Sequence, residues 1–316
     1  MMTSRDLHIQ TRQLFTIVGS ISVLLVLAQV AHASTVIGVT GAYDNGGSPN
    51  TVFEVDVTTG VLTDLGSTGS VVPNSLACNV EENLLYYGDH SGTDLYRFNL
   101  DTLTNDHVAD LVSVFGTGDL VAGQILSGGA TYDSTSKRYY FIPEEASSGA
   151  GAGISWLEFN AAGTSVVDSG TLTPDFSGTS ENSLGNFGDI AVSGNTLYGS
   201  SDTAGGSLGN SLNSFWSMDL ASLVVQTFGP EYTGPAAQIA FDGNGELWAN
   251  FFNSANSIFK VNTSTGALTN PQSMGANFYD MASTQPIPEP SSLALALLGL
   301  VSVGMCTRRR RLAVRG

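Results

Sequence analysis

One eleven-residue pattern occurs near both ends of the chain and limits how it can fold. FEVDVTTGVLT spans 53–63 and FKVNTSTGALT spans 259–269. Phe, Val, Asp or Asn, Thr, Gly, Leu and Thr recur at matching offsets. Each copy predicts a strand of alternating apolar residues, a turn opened by an Asx side chain and closed by a left-handed Gly, and a return strand. Weaker copies lie between them: YRFNLDT at 96–102, LEFNAAG at 157–163 and WSMDLAS at 216–222. The Asx anchors are Asp56, Asn99, Asn160, Asp219 and Asn262, spaced 43, 61, 59 and 43 residues apart. Such spacing suits four-stranded units with connections of variable length.

A second element precedes most anchors. ATYD at 130–133, IAVS at 190–193 and IAFD at 239–242 each lead into a further apolar strand: RYYFI (138–142), NTLY (195–198) and ELWA (246–249). SLAC (75–78) and LLYY (84–87) fit the same plan. One unit is therefore strand, tight turn, strand, loop, strand ending in Asx, turn, strand. Phe278–Ser283 has the form of a first strand with no successors, and Thr35–Thr40 that of a second strand with no predecessor. Joining them makes a fifth unit from both ends of the domain, which closes a ring and hides its edges. The predicted fold is all-β, a five-bladed β-propeller over 34–283 whose last blade closes circularly. The alternative is a large β-sandwich or jelly roll, which also makes regular strands and turns. The pattern is similar to secreted propeller repeat families without matching a particular one.

The flanks differ from this domain. Arg5 and Arg12 precede the apolar run Leu14–Ala28, followed by the small-x-small box Ala31-His32-Ala33. This is the three-part pattern of a secretory signal, a helix in 1–33 that signal peptidase removes to leave Ser34 first; the alternative is a retained anchor. At the other end, 284–290 is Pro-rich and cannot form a helix or a central strand. Residues 291–307 are 17 uncharged positions. As a helix they span about 26 Å, near the short limit for a bilayer core. The basic segment 308–316 opens with Arg308, Arg309, Arg310 and Arg311, which fixes a cytoplasmic C-terminus.

The charge of the whole chain, −17, hides a stronger asymmetry. Between Ser34 and Pro286 only Arg97, Lys137, Arg138 and Lys260 are basic, against 26 acidic residues, a net −22. That field repels nucleic acid and anionic lipid. No DNA or RNA role is expected.

The order Ile287-Pro288-Glu289-Pro290, short apolar helix, arginine cluster resembles the PEP-CTERM sorting signal of exported proteins in Gram-negative-type bacteria. The resemblance covers only the tail. It implies recognition of Pro288, Glu289 and Pro290 by an exosortase, a membrane cysteine transpeptidase. The tail would be held transiently in the inner membrane and cut near the box. The protein would then be released or attached at the cell surface. Such proteins commonly accompany exopolysaccharide and biofilm production, so surface glycans are the implied partners. The resemblance says nothing of what the propeller binds.

Signals for catalysis within the domain are weak. Asp89-His90-Ser91 gathers triad residue types, but neighbours in an extended segment point to opposite faces. Glu81-Glu82 and Glu144-Glu145 are adjacent carboxylates on turns, which do not span a scissile bond. Only His90 and His107 lie within 34–283, too few for a His-rich zinc site. Asp242, Asn244 and Glu246 space oxygen ligands as calcium loops do, but the remaining ligands of such a loop are missing. The Gly-rich run Ser147–Gly153 has no βαβ context for a phosphate. Cys78 sits in an apolar stretch, as a structural cysteine does. Trp156, Trp216, Trp248 and the pairs Tyr86-Tyr87 and Tyr139-Tyr140 are candidate sugar platforms, although alternation within strands assigns most of them to packing. No cofactor is expected. The leading expectation is a non-enzymatic binding or structural protein; the alternative is a secreted propeller enzyme of lyase or lactonase type.

Overall fold

The computed structural model describes residues 34–40, 50–90, 92–116, 129–143, 153–179, 184, 188–200, 215–229, 237–251 and 256–284. The predicted signal, the Pro-Glu-Pro box, the apolar run, the arginine cluster, Ser91 and Glu144-Glu145 lie outside these residues, as does all of the Gly-rich run except Gly153.

The described residues form twenty strands in five four-stranded antiparallel sheets. The chain enters through β1 (Thr35–Val39), β2 (Thr51–Asp56) and β3 (Leu62–Ser67). Four complete blades follow. They comprise β4 (Pro73–Asn79), β5 (Leu84–Asp89), β6 (Asp94–Asn99) and β7 (Thr104–Asp110); β8 (Ala130–Asp133), β9 (Arg138–Phe141), β10 (Ile154–Phe159) and β11 (Val166–Leu172); β12 (Ile190–Ser193), β13 (Thr196–Ser200), β14 (Phe215–Asp219) and β15 (Val225–Phe228); and β16 (Ala237–Phe241), β17 (Leu247–Phe251), β18 (Ser257–Val261) and β19 (Leu268–Ser273). Finally β20 (Asp280–Ala282) pairs antiparallel with β1, Val39 opposite Asp280 and Ile37 opposite Ala282. The first blade thus has the order β20-β1-β2-β3, closed by strands from the two ends of the domain. The innermost strands β20, β4, β8, β12 and β16 pack in that order and return to β20. This is a five-bladed propeller. A sandwich, with two facing sheets, is not what forms.

Four of the five Asx anchors build equivalent turns between the third and fourth strands; Asn160 Oδ1 instead accepts from Thr164 N–H, four residues on, at 2.8 Å. Asp56 Oδ1 accepts from the Thr58 and Thr59 N–H at 2.8 and 3.2 Å. Asn262 Oδ1 accepts from Ser264 and Thr265 at 2.9 and 3.0 Å. Gly60 and Gly266 then take φ of 74° and 66° and return their N–H to the anchor carbonyl. Leu103 and Leu223 hold the same left-handed position after Asn99 and Asp219, with φ of 56° and 61°. The bonds of the Asx oxygen hold the turn there even without glycine.

Apolar alternation on the strands fills the space between blades. The buried residues fall into five clusters, one per blade interface. Trp216, fully buried, lies against Gly199 of the neighbouring strand, where a Cβ would come 2.0 Å from its ring. Cys78 belongs to the interface of the first two blades. Burial pushes its thiol up to about 12, which removes thiolate character at neutral pH.

The two faces of the ring differ. Like ends of the innermost strands meet around the channel, so these strands run the same way. Connections within the outer and inner hairpins of each blade then share one face and are two to six residues long. Those between second and third strands, and between blades, share the other face and run from four to nineteen residues. One of the latter carries α1 (Leu111–Phe115), N-capped by Asp110, whose Oδ1 accepts from Val112 N–H at 3.0 Å. Ser34 and Thr284, which flank β1 and β20, lie on the hairpin face. Asn244 Nδ2 donates to Ser34 Oγ at 2.6 Å, and Thr284 N–H donates to the Phe241 carbonyl at 2.9 Å.

Candidate site at the channel mouth

Each innermost strand presents a residue at the same position toward the loop-bearing face, directly before Met281, Leu76, Ala130, Ile190 and Ile239. Around the ring these are Asp280, Ser75, Gly129, Asp189 and Gln238. Asp280 and Asp189 have no exposed surface. Asp280 Oδ1 accepts from Met281 N–H at 2.8 Å, and its Oδ2 reaches into the next blade to accept from Leu76 N–H at 2.7 Å. Asp189 repeats the arrangement, with Oδ1 accepting from Ile190 N–H at 2.7 Å and Oδ2 from Ile239 N–H of the next blade at 2.8 Å. Each carboxylate therefore clasps two blades.

Neighbouring residues complete the centre. Gly129 is required beside Asp189, since a Cβ there would lie 2.2 Å from the Asp189 Cα. Tyr139 Oη donates to the Ser75 carbonyl at 2.6 Å. Thr131 Oγ1 accepts from Val192 N–H at 3.1 Å, and Ser283 Oγ from Phe241 N–H at 2.9 Å, each across a blade interface.

Loss of solvation dominates the acidity of this centre. Burial pushes Asp280 up to about 7 even though backbone N–H groups favour its charged form. Burial also pushes Asp189 well above the usual carboxylate range, and the Asp280 charge adds to the rise. Tyr139 is raised by burial, with both aspartates contributing. The arrangement can hold a proton in a dry site. Its oxygens are directed to backbone donors of neighbouring blades, so it works as a clasp.

The residues singled out by sequence are dispersed. His90 lies beside the mouth, half-buried, with Tyr279 Oη 3.0 Å from Nδ1 and the two rings edge to face. Burial lowers its pKa. His107 stands on the outer strand β7, paired with Asp94 Oδ1 at 2.8 Å. Glu81 pairs with Lys137 on the hairpin face, and Glu82 is exposed. Asp242 Oδ1 accepts from the Asn244 and Glu246 N–H at 2.9 Å each, and Oδ2 from Trp248 Nε1 at 3.2 Å. Glu246 pairs with Lys260 at 2.9 Å. The three calcium candidates thus form a hydrogen-bonded hairpin turn. Among the described residues no group of three or more His, Cys, Asp or Glu converges as metal ligands. Of the candidate sugar platforms, Trp216, Trp248 and all four tyrosines are buried. Trp156 is half-buried beneath the Arg138 guanidinium, 3.9 Å from its ring centroid.

Sequence reasoning missed Asp189 and Asp280. A faint signal exists: both precede an apolar residue and then Ala, as Asp189-Ile190-Ala191 and Asp280-Met281-Ala282. Only the fold reveals that these two triplets face one centre.

Residues 286–311 match the PEP-CTERM protein-sorting motif. That motif marks an exported protein sorted by an exosortase. No curated protein matches the chain. Among solved structures, one of a nidogen/laminin complex is 9% identical with a TM-score of 0.47, covering 78% of this chain and 97% of that one. A luciferin-regenerating enzyme is 10% identical with a TM-score of 0.39, covering 64% of this chain and 60% of that one. Hydrazine synthase of Kuenenia stuttgartiensis is 14% identical with a TM-score of 0.36, covering 75% and 65%. At these values the likenesses carry no functional argument.

Proposed function

We propose that this chain is a surface or matrix propeller with a binding or structural role linked to exopolysaccharide or biofilm. Its signal is removed after Ala33. The domain folds outside the inner membrane and is held there briefly by 291–307, with Arg308–Arg311 on the cytoplasmic side. The exosortase reads Pro288, Glu289 and Pro290 and releases or attaches the protein. The observation that carries this reading is the sorting motif at 286–311, which begins two residues after Thr284, itself bonded to the ring. Ser34 is tied to the ring, its carbonyl accepting from Val57 N–H at 2.9 Å, an arrangement that a mature N-terminus at this residue would keep. The use of both channel carboxylates as clasps favours a binding or structural role over acid/base chemistry at the ring centre.

Mass spectrometry of the protein recovered from the cell surface tests the route. Loss of the apolar run together with Arg308–Arg311 is expected; recovery of intact Arg315-Gly316 would overturn it. A glycan array probed with the processed protein tests the role. Binding to an acidic or neutral exopolysaccharide fragment supports it, and absence of glycan binding would remove the polysaccharide link.

A further inference from the structure

The ring is fixed to its sorting box by a very short tether. Thr284 is held on both sides: its N–H donates to the Phe241 carbonyl at 2.9 Å, and its hydroxyl donates to the Thr35 carbonyl. Only Gln285, Pro286 and Ile287 separate it from Pro288. Fully extended, the four steps from Thr284 to Pro288 reach about 14 Å. Three prolines in the segment 286–290 restrict it further before the apolar run begins. A folded ring on so short a lead cannot turn over freely while the box is occupied.

Resting on the sorting reading above, we infer that the hairpin face of the ring, in the sector of the first and last blades around Thr284, abuts the membrane enzyme that reads the tail. The turn 57–61 of the first blade, with Gly60 against Ser273 of the last, and the turn 242–246 of the last, with Asn244 bonded to Ser34, flank Thr284 in this sector. The loop-bearing face, with the long connections and the channel mouth, is then turned away from the membrane throughout processing. The occupant is a protein: an enzyme embedded at the bilayer surface whose outer rim accepts exposed Thr, Asn and Gly turns. The cut must also fall beyond Thr284, because the two bonds of that residue complete the joint between the first and last blades.

A photo-crosslinking side chain placed at Thr59 or Asn244 on the hairpin face, and at Ser70 or Ser113 on the opposite side, tests this in the full chain during export. All four positions are exposed. Crosslinks from Thr59 and Asn244 to the exosortase, with none from Ser70 or Ser113, are expected. A flexible Gly/Ser insertion after Thr284 should abolish them while the tail is still removed. Crosslinks from Ser70 or Ser113 equal to those from Thr59, crosslinks to lipid alone, or none from any position despite tail removal would overturn the inference and leave the sorting route standing. Retention of the tail on surface protein would overturn the sorting route itself, and this inference with it.

Discussion

Aspartates do the same job in two places in this molecule, with opposite consequences for their acidity. At the outer turns, Asp219 Oδ1 accepts from the Ala221 and Ser222 N–H at 3.1 and 2.7 Å. Those bonds and the Ser222 hydroxyl hold its carboxyl below the usual range. Asp56 behaves likewise through Thr58 and Thr59. At the channel mouth, Asp189 and Asp280 also accept two backbone N–H groups each, yet both are pushed up. The bonds are equivalent; the solvent is not. A carboxylate in water gains from each donor, whereas one at the ring centre has first lost its hydration. The outer aspartates stabilise a local turn. The inner ones join blades that are far apart in sequence and carry an electrostatic cost in doing so.

The comparison breaks most severely at Asp280. Asp280→Ala leaves the Leu76 and Met281 N–H groups buried without their acceptor, and a loss of about 4 kcal/mol at pH 5 is expected in urea unfolding. A loss comparable to that of an exposed turn would show that the clasp does not matter. Next is pH. Because the folded chain holds the Asp280 proton more tightly than the unfolded chain, its contribution is full below the ordinary pKa of 3.8 and is lost as pH rises through about 7. Stability should fall over that window by up to about 1.4 kcal/mol per pH unit, and Asp280→Asn should flatten the slope. The lowered outer aspartates act oppositely: what they contribute is present above their ordinary pKa and lost as acid protonates them. A stability curve that rises from pH 4 to 7 in the native protein would refute the inner assignment. Gly129→Ala sharpens the contrast sterically by displacing Asp189, at about 1–3 kcal/mol. The smallest effect is expected at Asn99→Ala. It removes an uncharged anchor whose Oδ1 accepts from Asp101 and Thr102 at 2.9 Å, at about 1 kcal/mol.

The outer turns were legible in the sequence because their chemistry is local. An Asx residue, the donors two and three positions on, and a left-handed residue fall within one short window, repeated four times, with a longer variant at Asn160. Ring closure was legible for a related reason: Thr35–Val39 and Asp280–Ala282 each lacked the partners the repeat demanded. The clasp was not legible. Asp280 meets Leu76 and Asp189 meets Ile239, pairs brought together only when blades pack. A buried aspartate and an exposed one are the same letter. The aromatics show the same limit in reverse: Trp156 and Trp216 both occupy strands, and only the packing separates a half-buried indole under Arg138 from a fully buried one against Gly199.

The pairing of Val39 with Asp280 sets a timetable for export. Under the export route proposed above, with the signal at the N-terminal end, β1 emerges first and its partner β20 last. Until then an apolar strand, with Val36, Ile37 and Val39 destined for full burial, has one hydrogen-bonding edge open. An exposed edge of that composition recruits other strands. On that route the edge stays open until Asp280 pairs with Val39, and Asp280 lies only six residues before the sorting motif at 286–311.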